Sequence, residues 1–350
     1  MTSNPADSNP ADSNPVDHDV VGRARALADD VLFPHALEVD ASTALPRAAL
    51  DEITERGLYG LVGPTHLGGA GANQPTQLLV IEALASGCLN TAFVWTQHQG
   101  ATNAAVTATG EPHEQWAAAL SSGRSKGGVA FAHLLRPRAV LTAEPTAGGW
   151  LLSGVAPWVT GWGYIDVVLT GARVGADAET GRGGDIVWLL VDAVDATTLR
   201  SIPLRLSAAN ASGTFEIGFD RHFVPDARVT SIQPYDQWRA EYPKGLRLNG
   251  SLGLGVATRT ASLLGPSVFD AALLDVRHQL DRATVDQLPT ARGRLGALAV
   301  KMTAALVATT GGRSILADQH GQRLAREAMF LLIQGQTPEI RDAQLADLAP

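Results

Sequence analysis

The sequence predicts an α+β fold in three parts: a helical N-terminal domain over residues 19–126, a middle β-domain over 127–235 and a C-terminal helical bundle over 236–350. Two observations predict it. Apolar residues recur at helical spacing on both sides of a central stretch, in which short β-branched runs are separated by turn residues. Strands and helices also fail to alternate, which excludes the βαβ order of a parallel nucleotide-binding sheet.

The chain opens on a repeat, Ser-Asn-Pro-Ala-Asp starting at Ser3 and Ser8, with a third copy from Ser13 that has Val16 in place of alanine. Pro5, Pro10 and Pro15 remove backbone donors and little there is apolar, so residues 1–18 are expected to form a disordered, dispensable tail. Over 46–61, Leu50, Ile53 and Leu58 recur near one helical turn among Asp51, Glu52, Glu55 and Arg56, with Pro46 tolerated at the start. Helices are further expected over 78–85, 101–109 and 114–120, and the glycines and proline of 63–71 make a shaped loop. From Gly128 the signal turns to strands, over 129–132, 150–152, 167–169, 186–191 and 214–219, with turns at 147–149, 181–184 and 212–213. The β-domain is expected to end near Val224-Pro225. Helical spacing then returns over 252–264, 268–280, 295–310 and 314–333, the last helix running into a short tail.

Composition narrows the function. A 350-residue chain with 45% hydrophobic residues buries a large core, and a net charge of −8 leaves no basic surface for nucleic acid. No run of about 20 uninterrupted apolar residues stands out as a membrane span. Residues 1–17 lack the charged start and apolar middle of a secretory signal, and Cys88 alone cannot form an internal disulfide, so a cytoplasmic setting is expected. Gly68, Gly69 and Gly71 follow a helix rather than a strand, which argues against a dinucleotide fingerprint.

Several strings carry a resemblance. Gly60-Leu61-Val62-Gly63-Pro64 precedes Gly68-Gly69, Ile81 to Ala85 follows, and Gly110 to Gln115 comes after. In the β-domain, Gly148 to Gly154, Trp158-Val159-Thr160, Asp166 to Leu169 and Phe219 to Pro225 occur in order. Arg282 and Thr284 stand twenty and eighteen residues before Met302. Together these strings resemble the acyl-CoA dehydrogenase family. The resemblance implies a helical domain, a barrel-like β-domain and a four-helix bundle, FAD as the cofactor, α,β-dehydrogenation of an acyl thioester, and assembly as a homodimer or homotetramer. It further implies that Ala130, Ala132, Trp158 and Thr160 line the flavin, and that Arg282 and Thr284 reach the FAD pyrophosphate of a neighbouring subunit. An aromatic beside a hydroxyl on a rigid strand suits a flat ring with a polar edge, and a guanidinium suits a diphosphate. Each residue has a plainer reading: Trp158 as core, Thr160 as a β-branched filler, Arg282 as a solvated helix residue. Val285-Asp286 replaces the family's Phe-Gly and brings an anion beside the arginine.

The family's base is missing. Aligned on 333–337, Gly335 takes the place of the glutamate that accepts the α-proton; aligned on Arg341-Asp342-Ala343, Pro350 takes it. An alternative family position falls near Pro243, with Glu241 two residues away, a rotation of about 200° on a helix. His98 and His133 are the remaining titratable candidates. A dehydrogenase with a displaced base, a flavin oxygenase or oxidase that needs none, and a non-catalytic binding partner are the three functions left open.

Overall fold

The computed structural model describes residues 15–136, 138–175 and 183–349. Most of the tail expected over 1–18, part of the turn at 181–184, and Pro350 lie outside the described residues.

The N-terminal part holds α1 (His18–Leu27), α2 (Ala36–Ala41), α3 (Arg47–Glu55), α4 (Gln74–Gly87), α5 (Leu89–Thr107) and α6 (Glu111–Ser121). Asp17 accepts from the Asp19 and Val20 amides to start α1, and Asn73 accepts from Thr76 to start α4. The helix expected over 46–61 stops at Glu55, because Gly57 takes a φ of 67° that ends it; Leu58 enters the core from the turn beyond. The segment expected over 101–109 is the end of the much longer α5, which is buried on nearly every side and so lacks an amphipathic signature.

Eight strands follow: β1 (Gly127–Ala130), β2 (Leu141–Thr146), β3 (Gly149–Val159), β4 (Val167–Val174), β5 (Asp185–Asp192), β6 (Leu199–Pro203), β7 (Phe215–Pro225) and β8 (Val229–Pro234). They form one sheet in the order β6-β7-β3-β2-β4-β5-β8, with β1 parallel to β4. Two expectations are corrected. The strand placed over 129–132 ends at Ala130, since Phe131 turns with ψ of −3° into a 3-10 turn, Ala132–Leu135. The sheet also continues past Val224-Pro225 into β8, which pairs with β5. Both faces of β4 and β5 are buried: Val168, Val187 and Leu189 join the inner cluster with Leu152 and Ile217, while Val167, Ile186 and Leu190 pack with Ala101, Trp116 and Leu120 of α5 and α6.

The last part comprises α7 (Tyr235–Glu241), α8 (Leu246–Leu264), α9 (Phe269–Arg282), α10 (Leu288–Thr310), α11 (His320–Ile333) and α12 (Pro338–Leu348). The helix expected over 314–333 begins at His320, after a 3-10 turn over Gly311–Ile315. The short tail expected after it is α12, with Thr337 accepting from the Ile340 amide at its start. Leu288–Ile315 is long and apolar enough to cross a membrane, yet it packs against α8, α9, α11 and α12 as the spine of the bundle. The bundle seats on the N-terminal helices where α8 crosses α4 at Gly255, whose added Cβ would stand 2.5 Å from the Glu82 carbonyl oxygen.

Candidate functional site

The β-domain residues singled out in the sequence converge on the end of β3. The pairing of β3 with β7 slips between Ala156 and Val159, a bulge at Pro157-Trp158. Proline lacks the ladder donor, and Trp158 takes a φ of 63°, a conformation that a bulky residue adopts at a cost of about 1–3 kcal/mol and that clusters at functional sites. Its indole is 50% exposed, so the strain is not repaid by burial in a core. The plainer reading of Trp158 as a core residue is thereby overturned.

Two residues on, Thr160 is buried and its hydroxyl lies 3.0 Å from that of Thr214, which lies 2.7 Å from that of Ser212. The two segments are clamped by backbone bonds: the Gly161 amide donates to the Ser212 and Gly213 carbonyls, and the Trp162 amide to Gly213. Gly161, at φ of 94°, approaches Val94 of α5 and Ile165. β1 lies alongside, since a Cβ on Gly128 would reach 3.3 Å from the Thr160 carbonyl oxygen. Ala130 is buried in the inner core cluster with Val159, while Ala132 is exposed at the start of the 3-10 turn. Ala130, Trp158 and Thr160 thus lie around the end of β3, and Ala132 lies on the turn that follows β1.

Arg282 and Thr284 lie elsewhere, exposed on the turn between α9 and α10. Arg282 lines an open depression of ≈ 490 Å³ with Asp275, His278, Asp286 and Arg294. The nearby Thr284 hydroxyl helps to hold the Asp286 carboxyl below its usual carboxylate range. An ionised Asp286 therefore lines the same depression as the arginine.

No carboxylate occupies either described base position. Gly335 sits in the turn between α11 and α12, its carbonyl 3.4 Å from the Tyr242 hydroxyl. Burial raises the Tyr242 pKa, which makes it a proton donor rather than a base. Glu241 is exposed and 3.6 Å from Lys244. The histidines are structural: the Gly127 amide donates to His98 Nδ1 at 2.9 Å, which puts the ring hydrogen on Nε2, and this donates to the Leu120 carbonyl at 3.0 Å. Burial pushes its pKa down to about 3. His133 Nε2 donates to the Gly171 carbonyl at 2.7 Å, and burial lowers its pKa to about 4.

Two features escaped the sequence reading. Ser212 and Thr214 read as a turn and a strand start; only the fold shows them behind Thr160. Glu327 on α11 is a fully buried carboxyl, one oxygen 2.7 Å from Arg323 Nη1 and the other without a hydrogen-bond partner. The i,i+4 spacing of Arg323 and Glu327 was its one signal, and it reads as an ordinary surface pair.

Comparison with known proteins agrees with this architecture. Residues 15–124 match the family description "Acyl-CoA dehydrogenase, N-terminal domain". The chain is 24% identical to 3-sulfinopropanoyl-CoA desulfinase of Paraburkholderia xenovorans over 92% of its own length and 93% of that protein's. Among solved structures, glutaryl-coenzyme A dehydrogenase in complex with glutaryl-CoA superposes with a TM-score of 0.81 at 17% identity over 96% of both chains. The FAD complex of PigA superposes with a TM-score of 0.80 at 18% identity over 98% of this chain and 99% of that one. Both structures share the fold.

Proposed function

We propose that this chain, whose N-terminal part matches the acyl-CoA dehydrogenase family and whose fold is shared with solved acyl-CoA dehydrogenases, is a flavin-dependent oxidoreductase of that superfamily acting on an acyl thioester. The observation that carries this is the strained, half-exposed Trp158 beside the buried Thr160 hydroxyl, an aromatic face and a fixed polar group at one strand end. FAD bound there would accept the hydride removed from the substrate β-carbon. Trp158 would cover part of the ring, the backbone at Ala130 and Ala132 and the Thr160 hydroxyl would meet its polar edge, and the wall of α5 and β1 would exclude water. Arg282 would serve the pyrophosphate of a neighbouring copy in a homodimer or homotetramer. The exposed apolar Met329, Ile333 and Leu345 of α11 and α12 support such an assembly, whereas Asp286 weakens the phosphate contact.

Direct α,β-dehydrogenation needs a base for the α-proton, and Gly335 and Tyr242 supply none. That observation favours a second reading, in which the same scaffold and flavin serve as a monooxygenase or oxidase. Titration of purified protein with FAD, followed by anaerobic addition of acyl-CoA, tests both. Saturable binding with the flavin absorbance bleached by acyl-CoA is the expected result. Binding without bleaching, and oxygen consumption only after external reduction of the flavin, selects the oxygenase. Absence of FAD binding at high micromolar concentration discards both.

A further inference from the structure

We infer that Ser212 and Thr214 are positioning residues that preset the Thr160 hydroxyl as a hydrogen-bond donor to a ring-nitrogen acceptor of the bound flavin. The inference rests on the flavin reading above and adds to it two residues behind the site wall.

The three hydroxyls stand in line, Ser212 Oγ to Thr214 Oγ1 at 2.7 Å and Thr214 Oγ1 to Thr160 Oγ1 at 3.0 Å, and all three residues are buried. Each hydroxyl carries one hydrogen and can accept as well. Among the described residues, the side chains of Ser212 and Thr160 have Thr214 as their sole hydrogen-bond partner. If Thr214 donated to Ser212, the Ser212 hydrogen would have no acceptor. In the opposite sense Ser212 donates to Thr214, Thr214 donates to Thr160, and the remaining hydrogen, that of Thr160, points to whatever binds in the site. This sense leaves its one unmet hydrogen on Thr160, two residues from the half-exposed Trp158, rather than on the fully enclosed Ser212, and so calls for an external acceptor at Thr160. A buried hydroxyl hydrogen calls for an acceptor, and on the flavin reading the bound ring supplies it.

The chain is not needed to hold the two segments together. Gly161 and Trp162 already donate their amides to Ser212 and Gly213, which fixes 160–162 against 212–214 through the backbone. The hydroxyls are left with orientation as their task, and hydrogen bonds in series polarise one another, which strengthens the terminal donor. The oxidised flavin ring carries a nitrogen acceptor at the atom that takes up hydride; 5-deaza-FAD has a C–H group there and none.

The test compares FAD and 5-deaza-FAD affinities, by calorimetry, for the full chain and its Thr214→Val, Thr214→Ser and Ser212→Ala variants. Thr214→Val is expected to weaken FAD about two- to threefold, as the Thr160 hydroxyl keeps its hydrogen but loses the polarisation and orientation that Thr214 gives it, while 5-deaza-FAD binds as it does to the unaltered protein. Ser212→Ala is expected to weaken FAD less, and Thr214→Ser to restore it. Equal loss for both flavins with Thr214→Val, or the same loss with Thr214→Ser, would reveal a packing role and overturn the inference. Unchanged FAD affinity in both Thr214→Val and Ser212→Ala overturns it too, with the flavin reading intact. Failure of the unaltered protein to bind either flavin removes the flavin reading and this inference with it.

Discussion

Trp158 holds a left-handed backbone with its ring half in solvent, and such a conformation has a measurable signature. At an ordinary strand position glycine is less stable than alanine by about 0.5–1 kcal/mol. Here the order should invert, because Trp158→Ala keeps the Cβ that clashes at positive φ and Trp158→Gly removes it, so the glycine variant should be the more stable by about 1 kcal/mol in urea unfolding. Both variants should lose flavin affinity at least about tenfold, or about 1.4 kcal/mol. Alanine equal to or above glycine would show that the backbone carries no strain. The Trp-x-Thr string pointed to this place without indicating why it matters: a left-handed tryptophan has no sequence signature, since the bulge that imposes it comes from the register between β3 and β7. Thr214 and Ser212 were hidden likewise, being 54 and 52 residues from Thr160 along the chain. Arg282 and Thr284 could be singled out by spacing, but the acidic Asp286 that shares the depression lined by Arg282, held ionised with the help of Thr284, could be read only as a neighbour in sequence.

At the level of elements, legibility follows burial pattern. β5 was read almost to its ends because its run 186–191 is continuously apolar and buried on both faces. β6 and β8 were missed because strands at the edges of the sheet mix exposed and polar residues and end at Pro203 and Pro234. β2, mostly exposed, was missed as well. On α11 the amphipathic spacing was legible and the buried ion pair was not. Arg323 and Glu327 are each 1% exposed, and burial raises the Glu327 pKa against the opposing pull of Arg323. Removing one partner leaves a charge stranded among apolar groups, so Arg323→Met should destabilise the protein by about 3–5 kcal/mol. The double variant Arg323→Met/Glu327→Leu should recover most of that loss, because no charge then remains to be desolvated. Chemical denaturation of the single and double variants measures both. If the single variant loses under about 1 kcal/mol, the pair is solvated in a way its burial denies.

Over the whole molecule, the first and last parts are joined by the ion pairs Asp29 with Arg259, Asp40 with Arg326 and Glu82 with Arg277, and three histidines kept neutral pin further elements together. His98 ties α5 to β1, His133 ties the turn after β1 to β4, and His320 stacks on Phe33 with ring centroids 4.2 Å apart, joining α11 to the N-terminal helices. Burial lowers His320 to about 4, with Arg323 and Arg259 adding to the shift. A histidine whose folded pKa lies below its unfolded value of about 6.5 binds fewer protons folded than unfolded between the two, so stability falls as pH drops through that window. Each fully buried histidine contributes up to about 1.4 kcal/mol per pH unit, and the half-buried His320 less. Glu327, raised by burial, works the other way, since its folded carboxyl takes up a proton sooner. Two buried histidines against one carboxyl leave a net loss, so unfolding free energy should decline between pH 6.5 and pH 4. His98→Gln should cost stability at pH 7 by disturbing the Gly127 and Leu120 bonds, yet it removes a group that titrates only in the unfolded chain across this range. Its unfolding free energy should therefore fall less steeply toward acid, by about 1.4 kcal/mol per pH unit near pH 5. Parallel profiles for the variant and the unaltered protein would mean that His98 takes up its proton while folded, against the burial and the fixed tautomer that place it as the pin between α5 and the sheet.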